Sequence, residues 1–195
     1  MLFLGRNPIF KYFIRYDVSE YSDLIVRALE DLKLRGEGAL IVIIRTTDIK
    51  LFVDTGLPLR AIISKELLVS IFNRKSPLHD GAVVIKDRYI EAARCTLPLS
   101  SIESIGDRNL GTRHRAALGI SEQADVISLI LSEETGEFAV AESGRLMMNL
   151  TSDEVRQKLA RAITTAGEAA ATVTKSGTMS GFRDYALESQ EAIDR

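Results

Sequence analysis

Residues 39–44, Ala-Leu-Ile-Val-Ile-Ile, form an unbroken apolar run. A strand with one wet face alternates apolar and polar residues, so a short continuous run indicates a strand covered on both faces. Residues 126–131, Val-Ile-Ser-Leu-Ile-Leu, repeat the signal. Around these runs the period becomes helical. Tyr21, Leu24, Ile25, Ala28, Leu29 and Leu32 predict a helix over 19–34, closed by Gly36. A second strand is expected over 49–53, after the turn Thr46-Thr47-Asp48, and Ser64 is placed to cap a helix running to Phe72. Residues 82–85 and 89–97 read as a hairpin around Lys86-Asp87-Arg88, followed by a loop over 100–111. A short helix is expected to open after Thr112 and to end near Gly119, and 137–141 should pair with the 126–131 strand across Glu134-Thr135-Gly136. Thr151 and Glu154 have capping-box spacing, and Val155, Leu159, Ala162, Ile163, Ala166 and Val173 continue a helical stripe. The order predicts an α/β fold of the mixed α+β kind, a mixed sheet with helices on its faces.

The 195 residues fit one domain, divided as a lead segment over 1–18, a domain over 19–175, and a polar tail over 176–195 with a turn of helix near Tyr185. With 46% apolar and 27% charged residues the chain can bury an ordinary core. Lys and Arg number 25 against 27 Asp and Glu, a net charge of −2, so the basic excess of a duplex-binding protein is absent and no nucleic-acid partner is expected. The single cysteine, Cys95, reads as a core thiol of a strand and fits a reducing, cytoplasmic setting. No apolar run reaches the ~18–20 residues of a membrane span. The apolar opening over 1–14 is broken by Gly5, Arg6, Asn7, Pro8 and Lys11, unlike a signal peptide.

Three constellations carry candidate chemistry. Leu78-His79-Asp80-Gly81-Ala82 places a carboxylate beside two small residues where a loop enters a strand. That suits a metal and phosphate site, while an Asp-Gly turn opening the strand is the plainer reading of the local sequence. In Gly111-Thr112-Arg113-His114-Arg115, Thr112 is a candidate N-cap, which puts two arginines in the first helical turn. Cations there oppose the helix dipole, by some tenths of a kcal/mol each, unless a polyanion binds the free N–H groups. A solvated basic patch, or an ion pair to a nearby carboxylate, is the plainer reading. Ser132-Glu133-Glu134-Thr135-Gly136 ends a buried strand and offers paired carboxylates to a metal, ribose or base, or simply a hairpin turn. No zinc-protease helix, nucleophile elbow, Walker loop or dinucleotide fingerprint is present.

LHDGAVVI at 78–85, LPLS at 97–100, GTRHRAALGISE at 111–122 and LSEETG at 131–136 together resemble the diadenylate cyclase (DAC) domain family. The resemblance runs upstream through GALIVI at 38–43 and DTGLPLRAIISKELL at 54–68, covers roughly residues 20–148, and is closest in spacing to the membrane-tethered CdaA type. It implies a single DAC-type domain with a mixed, mostly antiparallel, twisted β-sheet flanked by helices. It also implies condensation of two ATP into cyclic di-AMP and pyrophosphate, at the interface of two face-to-face protomers of a homodimer or higher homo-oligomer. Asp80 would activate the ribose 3′-hydroxyl with Mg²⁺ or Mn²⁺, and His79 would be a further metal ligand. Gly81 and Ala82 would line the nucleotide, Leu97 would pack near adenine, and Thr112, Arg113, His114 and Arg115 would hold the triphosphate. Ser132 and Glu134 would complete the site. In the tethered type three transmembrane helices precede the domain, so the resemblance leaves two expectations: the catalytic domain of a longer, membrane-tethered chain, on the cytoplasmic side, or a soluble relative. Two rivals are a nucleotide-binding regulatory module without turnover and a non-catalytic assembly protein.

Overall fold

The computed structural model describes residues 8–46 and 49–176. Along the chain, α1 (Pro8–Leu34) leads into β1 (Ala39–Ile44). A single turn, α2 (Lys50–Val53), precedes β2 (Leu57–Ile62) and α3 (Lys65–Phe72). The hairpin of β3 (Ala82–Lys86) and β4 (Tyr89–Cys95) is followed by a small ribbon of β5 (Ser104–Ile105) and β6 (Arg108–Asn109). Then come α4 (Thr112–Gln123), β7 (Val126–Leu131), β8 (Phe138–Glu142), β9 (Arg145–Leu150) and α5 (Ser152–Ser176).

Seven strands form one sheet in the order β2-β4-β3-β1-β7-β8-β9. The β1–β3 pairing is parallel, and the other pairings in this sheet are antiparallel, so the fold is mixed α/β with a mostly antiparallel sheet. The two apolar runs lie side by side at its centre, with Ile41 opposite Leu129. Their continuous apolarity follows from this position. Successive side chains of a strand point to opposite faces, and both faces are covered here. Ala39, Ile41 and Ile43 pack with Ile25 and Leu29 of α1, Leu68 and Phe72 of α3, and Val155 and Leu159 of α5. Leu40 and Val42 pack on the other face with Ala116, Ala117 and Ile120 of α4. Large side chains buried as completely as Leu29, Ile41 and Phe72 each stabilise the fold by about 1.5–3 kcal/mol.

The expected caps form. The Ser64 hydroxyl accepts from the Leu67 N–H at 3.1 Å. The Thr151 N–H donates to Glu154 Oε2 at 2.8 Å while the Glu154 N–H donates back to Thr151 Oγ1 at 3.2 Å, the reciprocal pairing of a capping box.

Elsewhere the local pattern misleads. Residues 49–53 are not a strand. Ile49 is buried, Leu51 is 82% exposed, and the Phe52 and Val53 N–H groups both donate to the Ile49 carbonyl. Five residues satisfy a period of two or of 3.6 equally well, and tertiary context chose the turn of helix. The strand lies farther on, in β2, where Pro58 depresses strand propensity and is tolerated because β2 is a sheet edge. The opposite edge, β9, carries Asn149, a weak strand former, and none of the β-branched or aromatic residues that signal a strand. The loop after Ser100 contains the β5–β6 ribbon, turned at Gly106. Helix α1 begins at Pro8 rather than Ser19, proline being tolerated in a first helical turn. The turn expected near Tyr185 lies outside the described residues.

Helix α4 does not stop at Gly119 but continues to Gln123. Gly119 is there for contact, not termination. A Cβ on it would lie 2.2 Å from the Pro98 carbonyl oxygen and 2.7 Å from the Ser100 nitrogen, so only glycine lets the 98–100 backbone lie directly against the helix.

Candidate active site

On the α4 side of the sheet a cleft of about 1050 Å³ opens, at the upper end of the ~300–1,000 Å³ of small-molecule sites. Its floor includes Leu40, Ala82, Cys95 and Ala139, where β1, β3 and β8 begin and β4 ends. The N-terminus of α4 forms one wall. The N-cap is Gly111, with Thr112 as the first helical residue, correcting the expectation for Thr112. Glycine accepts the extended N-cap conformation but has no side chain to cap with, and no side-chain hydrogen bond closes this helix start.

Asp80, Gly81, Ala82, Leu97, Thr112, Arg113, His114, Ser132 and Glu134 all line the cleft. Motifs far apart in sequence are thus gathered into one cavity. Gly81, at φ 100°, sits against β4. A Cβ there would lie 2.9–3.0 Å from Arg94 backbone atoms, so glycine is required both for its dihedral and for its contact. Asp80, just before it, is exposed to the cleft.

Two of the expected residues lie outside the lining. The His79 Nδ1–H donates to the Ser76 carbonyl at 2.7 Å. Arg115 turns to the 98–103 segment, where Nε and Nη2 donate to the Ser100 carbonyl at 3.2 and 3.1 Å and Nη1 lies 3.5 Å from Glu103. Ser100 in turn donates from its hydroxyl to Glu122 at 2.7 Å. Arg115 therefore braces the segment that carries Leu97 and Leu99 into the cleft.

The basic residues beside the α4 N-terminus are balanced by carboxylates. Arg113 donates to Glu133 Oε2 at 2.9 Å, and the same carboxylate pairs with Arg74. These bonds, the Arg113 one foremost, hold the Glu133 carboxyl below the usual carboxylate range although burial opposes them. Gly38 makes room, since a Cβ on it would lie 2.6 Å from Arg113 Nη1. Arg108 pairs with Glu137 at 2.9 Å and also donates to Asn149. Its hydrogen bond is the main reason that the Glu137 carboxyl is lowered. Burial, with Arg108 adding to it, lowers the His114 imidazole below its ordinary value, against the opposing charges of Glu137 and Glu134. The Cys95 thiol is pushed up to about 11 by burial, so this residue stays protonated and behaves as core.

Sequence reasoning did not single out Arg74, Arg94, Arg108 or Glu137, all of which line the cleft. None sits in a local pattern that signals a site. Arg74 follows α3, Arg94 lies within a strand, and Arg108 is brought in by the β5–β6 ribbon.

Residues 26–146 match the family model described as DisA bacterial checkpoint controller nucleotide-binding, DAC. The chain belongs to the DAC family. The DAC domain is 46% identical over 137 residues to cyclic di-AMP synthase CdaA of Bacillus subtilis, covering 70% of this chain and 50% of that protein. It is 40% identical over 165 residues to a diadenylate cyclase of Listeria monocytogenes, covering 83% and 60%. Among solved structures it resembles a double mutant of DacA from Staphylococcus aureus, with TM-score 0.72, 38% identity and coverage of 76% of this chain and 98% of that one. A hypothetical membrane spanning protein from Bacillus cereus is also similar, with TM-score 0.63, 42% identity and coverage of 68% and 64%. The DAC chain thus spans half to three fifths of the length of the two curated relatives named here. Among its described residues no helix is long and apolar enough to cross a membrane.

Proposed function

We propose that this domain is a diadenylate cyclase, which condenses two ATP into cyclic di-AMP and releases two pyrophosphates. The observation that carries the reading is the convergence, in one cleft, of an exposed carboxylate, Asp80, with an uncapped helix start bearing Arg113 and His114. The free N–H groups, the helix dipole and a guanidinium suit a triphosphate. Asp80, beside close-packed Gly81, suits a sugar hydroxyl. Leu97 and Leu40 offer an apolar surface to a base, and Ser132 and Glu134 offer polar contacts to the nucleoside. Arg115 serves by bracing the 98–103 segment.

A divalent metal is consistent with the donor set. Among the described residues no group of three or more His, Cys, Asp or Glu is arranged as a metal cage. Mg²⁺ and Mn²⁺ in nucleotide sites are held by one or two carboxylates together with substrate phosphates and water, and Asp80 offers such a carboxylate. When bound, the metal would offset phosphate charge and acidify the attacking hydroxyl. His79, engaged with Ser76, would steady the Asp80 loop.

In this mechanism the ribose 3′-oxygen of one ATP attacks the α-phosphorus of the other. A P–O bond forms, the bond to the β-phosphate oxygen breaks, and pyrophosphate leaves. The hydroxyl proton passes to Asp80 and on to water. Two such steps close the ring. Each cleft holds one ATP, so two protomers of a homodimer or larger homo-oligomer meet face to face. The chain's acts are positioning and charge neutralisation. The net charge of −2 gives no basis for a nucleic-acid partner. ATP as substrate places the domain in the cytoplasm, tethered to the membrane when it is part of a longer chain.

Incubating the protein with ATP and Mn²⁺ and separating the products tests the reading. Cyclic di-AMP should form, with specific activity falling on dilution through the dimer range. Asp80→Asn should keep ATP binding and lose about 10²–10⁴-fold in turnover. Nucleotide binding without product would favour a regulatory module, and near-normal turnover of Asp80→Asn would remove that residue from the chemistry.

A further inference from the structure

Arg94 has an unusual place in the cleft. In the β3–β4 ladder Ala82 faces Cys95 but Val84 faces Ala92, so Ala93 and Arg94 together oppose Val83. This bulge puts Arg94 at φ 58°, a left-handed backbone that a non-glycine residue seldom adopts. Two glycines pin it there from different chain segments. A Cβ on Gly56 would lie 2.5 Å from the Ala93 carbonyl oxygen and 2.5 Å from Cys95 Sγ, and one on Gly81 would lie 3.0 Å from the Arg94 Cα. The surrounding structure over-determines the strained residue, and such strain gathers at ligand sites.

The side chain so held is exposed and lines the cleft beside Asp80 and Gly81. Arg74, Arg108 and Arg113 are each paired with Glu133 or Glu137. Arg94 makes no ion pair or side-chain hydrogen bond among the described residues. An unpaired guanidinium, aimed by a strained bulge into a cleft that also presents an open helix N-terminus, has the chemistry of an anion contact. We propose that Arg94 is a binding residue for nucleotide phosphate, on the wall of the cleft that also carries Asp80 and Gly81. The proposal rests on the nucleotide reading of the cleft and adds a contact to it.

The test compares the full chain with Arg94→Ala, Arg94→Lys and Arg94→Gly in equilibrium binding of adenosine and of a non-hydrolysable ATP analogue with Mg²⁺. Arg94→Gly relieves the left-handed strain, so it keeps the comparison readable if alanine is poorly tolerated. Alanine and glycine should weaken the analogue by about tenfold to a hundredfold, the worth of a charge-assisted contact, and leave adenosine unchanged, with lysine recovering part of the loss. Unchanged affinity for the analogue in Arg94→Gly, or an equal loss for adenosine, would overturn the proposal. Product formation by the unaltered protein is read separately. If it binds the analogue without making cyclic di-AMP, the cyclase reading fails and the Arg94 comparison still decides. If it binds no nucleotide, both fail.

Discussion

Replacing Gly119 with alanine sets helix propensity against packing, and the two predict opposite signs. Gly119 lies inside α4, where alanine should stabilise by about 0.8–1.0 kcal/mol on propensity alone. Its added methyl would stand 2.2 Å from the Pro98 carbonyl oxygen and 2.7 Å from the Ser100 nitrogen, both backbone atoms, so α4 and the 98–100 segment must separate by roughly an ångström. Overpacking of this kind costs about 1–3 kcal/mol. The separation also strains the Ser100 N–H bond to the Arg115 carbonyl at 3.0 Å and the Arg115 guanidinium bonds to the Ser100 carbonyl. Neutral and charge-assisted bonds are worth about 0.5–1.5 and 1.5–3 kcal/mol respectively when lost outright, the latter discounted here for partial exposure. The net expectation is destabilisation by about 2–4 kcal/mol, read as a lower urea midpoint at unchanged slope. Thermal unfolding should shift down by roughly 5–15 °C. Leu97 and Leu99, carried by the displaced segment, line the cleft, so ATP affinity should fall as well. A variant as stable as its parent, or more so, would show that the close contact is not what holds Gly119 in place.

Arg113→Ala should weaken ATP binding by about 1.5–3 kcal/mol. Arg115→Ala should instead cost mainly stability, about 1–2 kcal/mol, because Arg115 faces Ser100. Calorimetric titration and urea melts of both variants check the division, and an equal loss of affinity in the two would refute it. His114, lowered chiefly by burial, should be neutral in the free protein at pH 7. Its unfolded form takes up a proton near pH 6.5, so its stability contribution is complete above that pH and declines as pH falls toward the folded value, levelling below it. Bound triphosphate should raise the imidazole again, so ATP binds more tightly as pH falls through this window. With two histidines in the chain, NMR titration resolves His114 directly. An ordinary or raised value in the free protein would contradict the burial argument.

Sequence by itself determined the elements whose signal is local. The runs at 39–44 and 126–131, the second interrupted only by Ser128, declared a doubly covered sheet because apolar side chains on both faces leave no strand face for water. Ser64 and the Thr151–Glu154 box declared helix starts because a cap involves residues three apart. The motifs around Asp80, Arg113 and Ser132 were legible as separate pieces of a site, and the family resemblance joined them. Only the tertiary structure decided matters that depend on partners distant in the chain. Residues 49–53 became a helical turn because Ile49 found a place among α4-side side chains and Leu51 found water. Gly119 looked like a helix end until the 98–100 backbone was laid against it. Arg113 and Arg115, neighbours on one helical turn, were sent to different partners, Glu133 and Ser100. Arg94 was turned into the cleft by a bulge that Gly56 and Gly81 hold in place. Periodicity and capping act over a few residues and are written locally, whereas close backbone approach and the choice of an ion-pair partner arise only when remote segments meet.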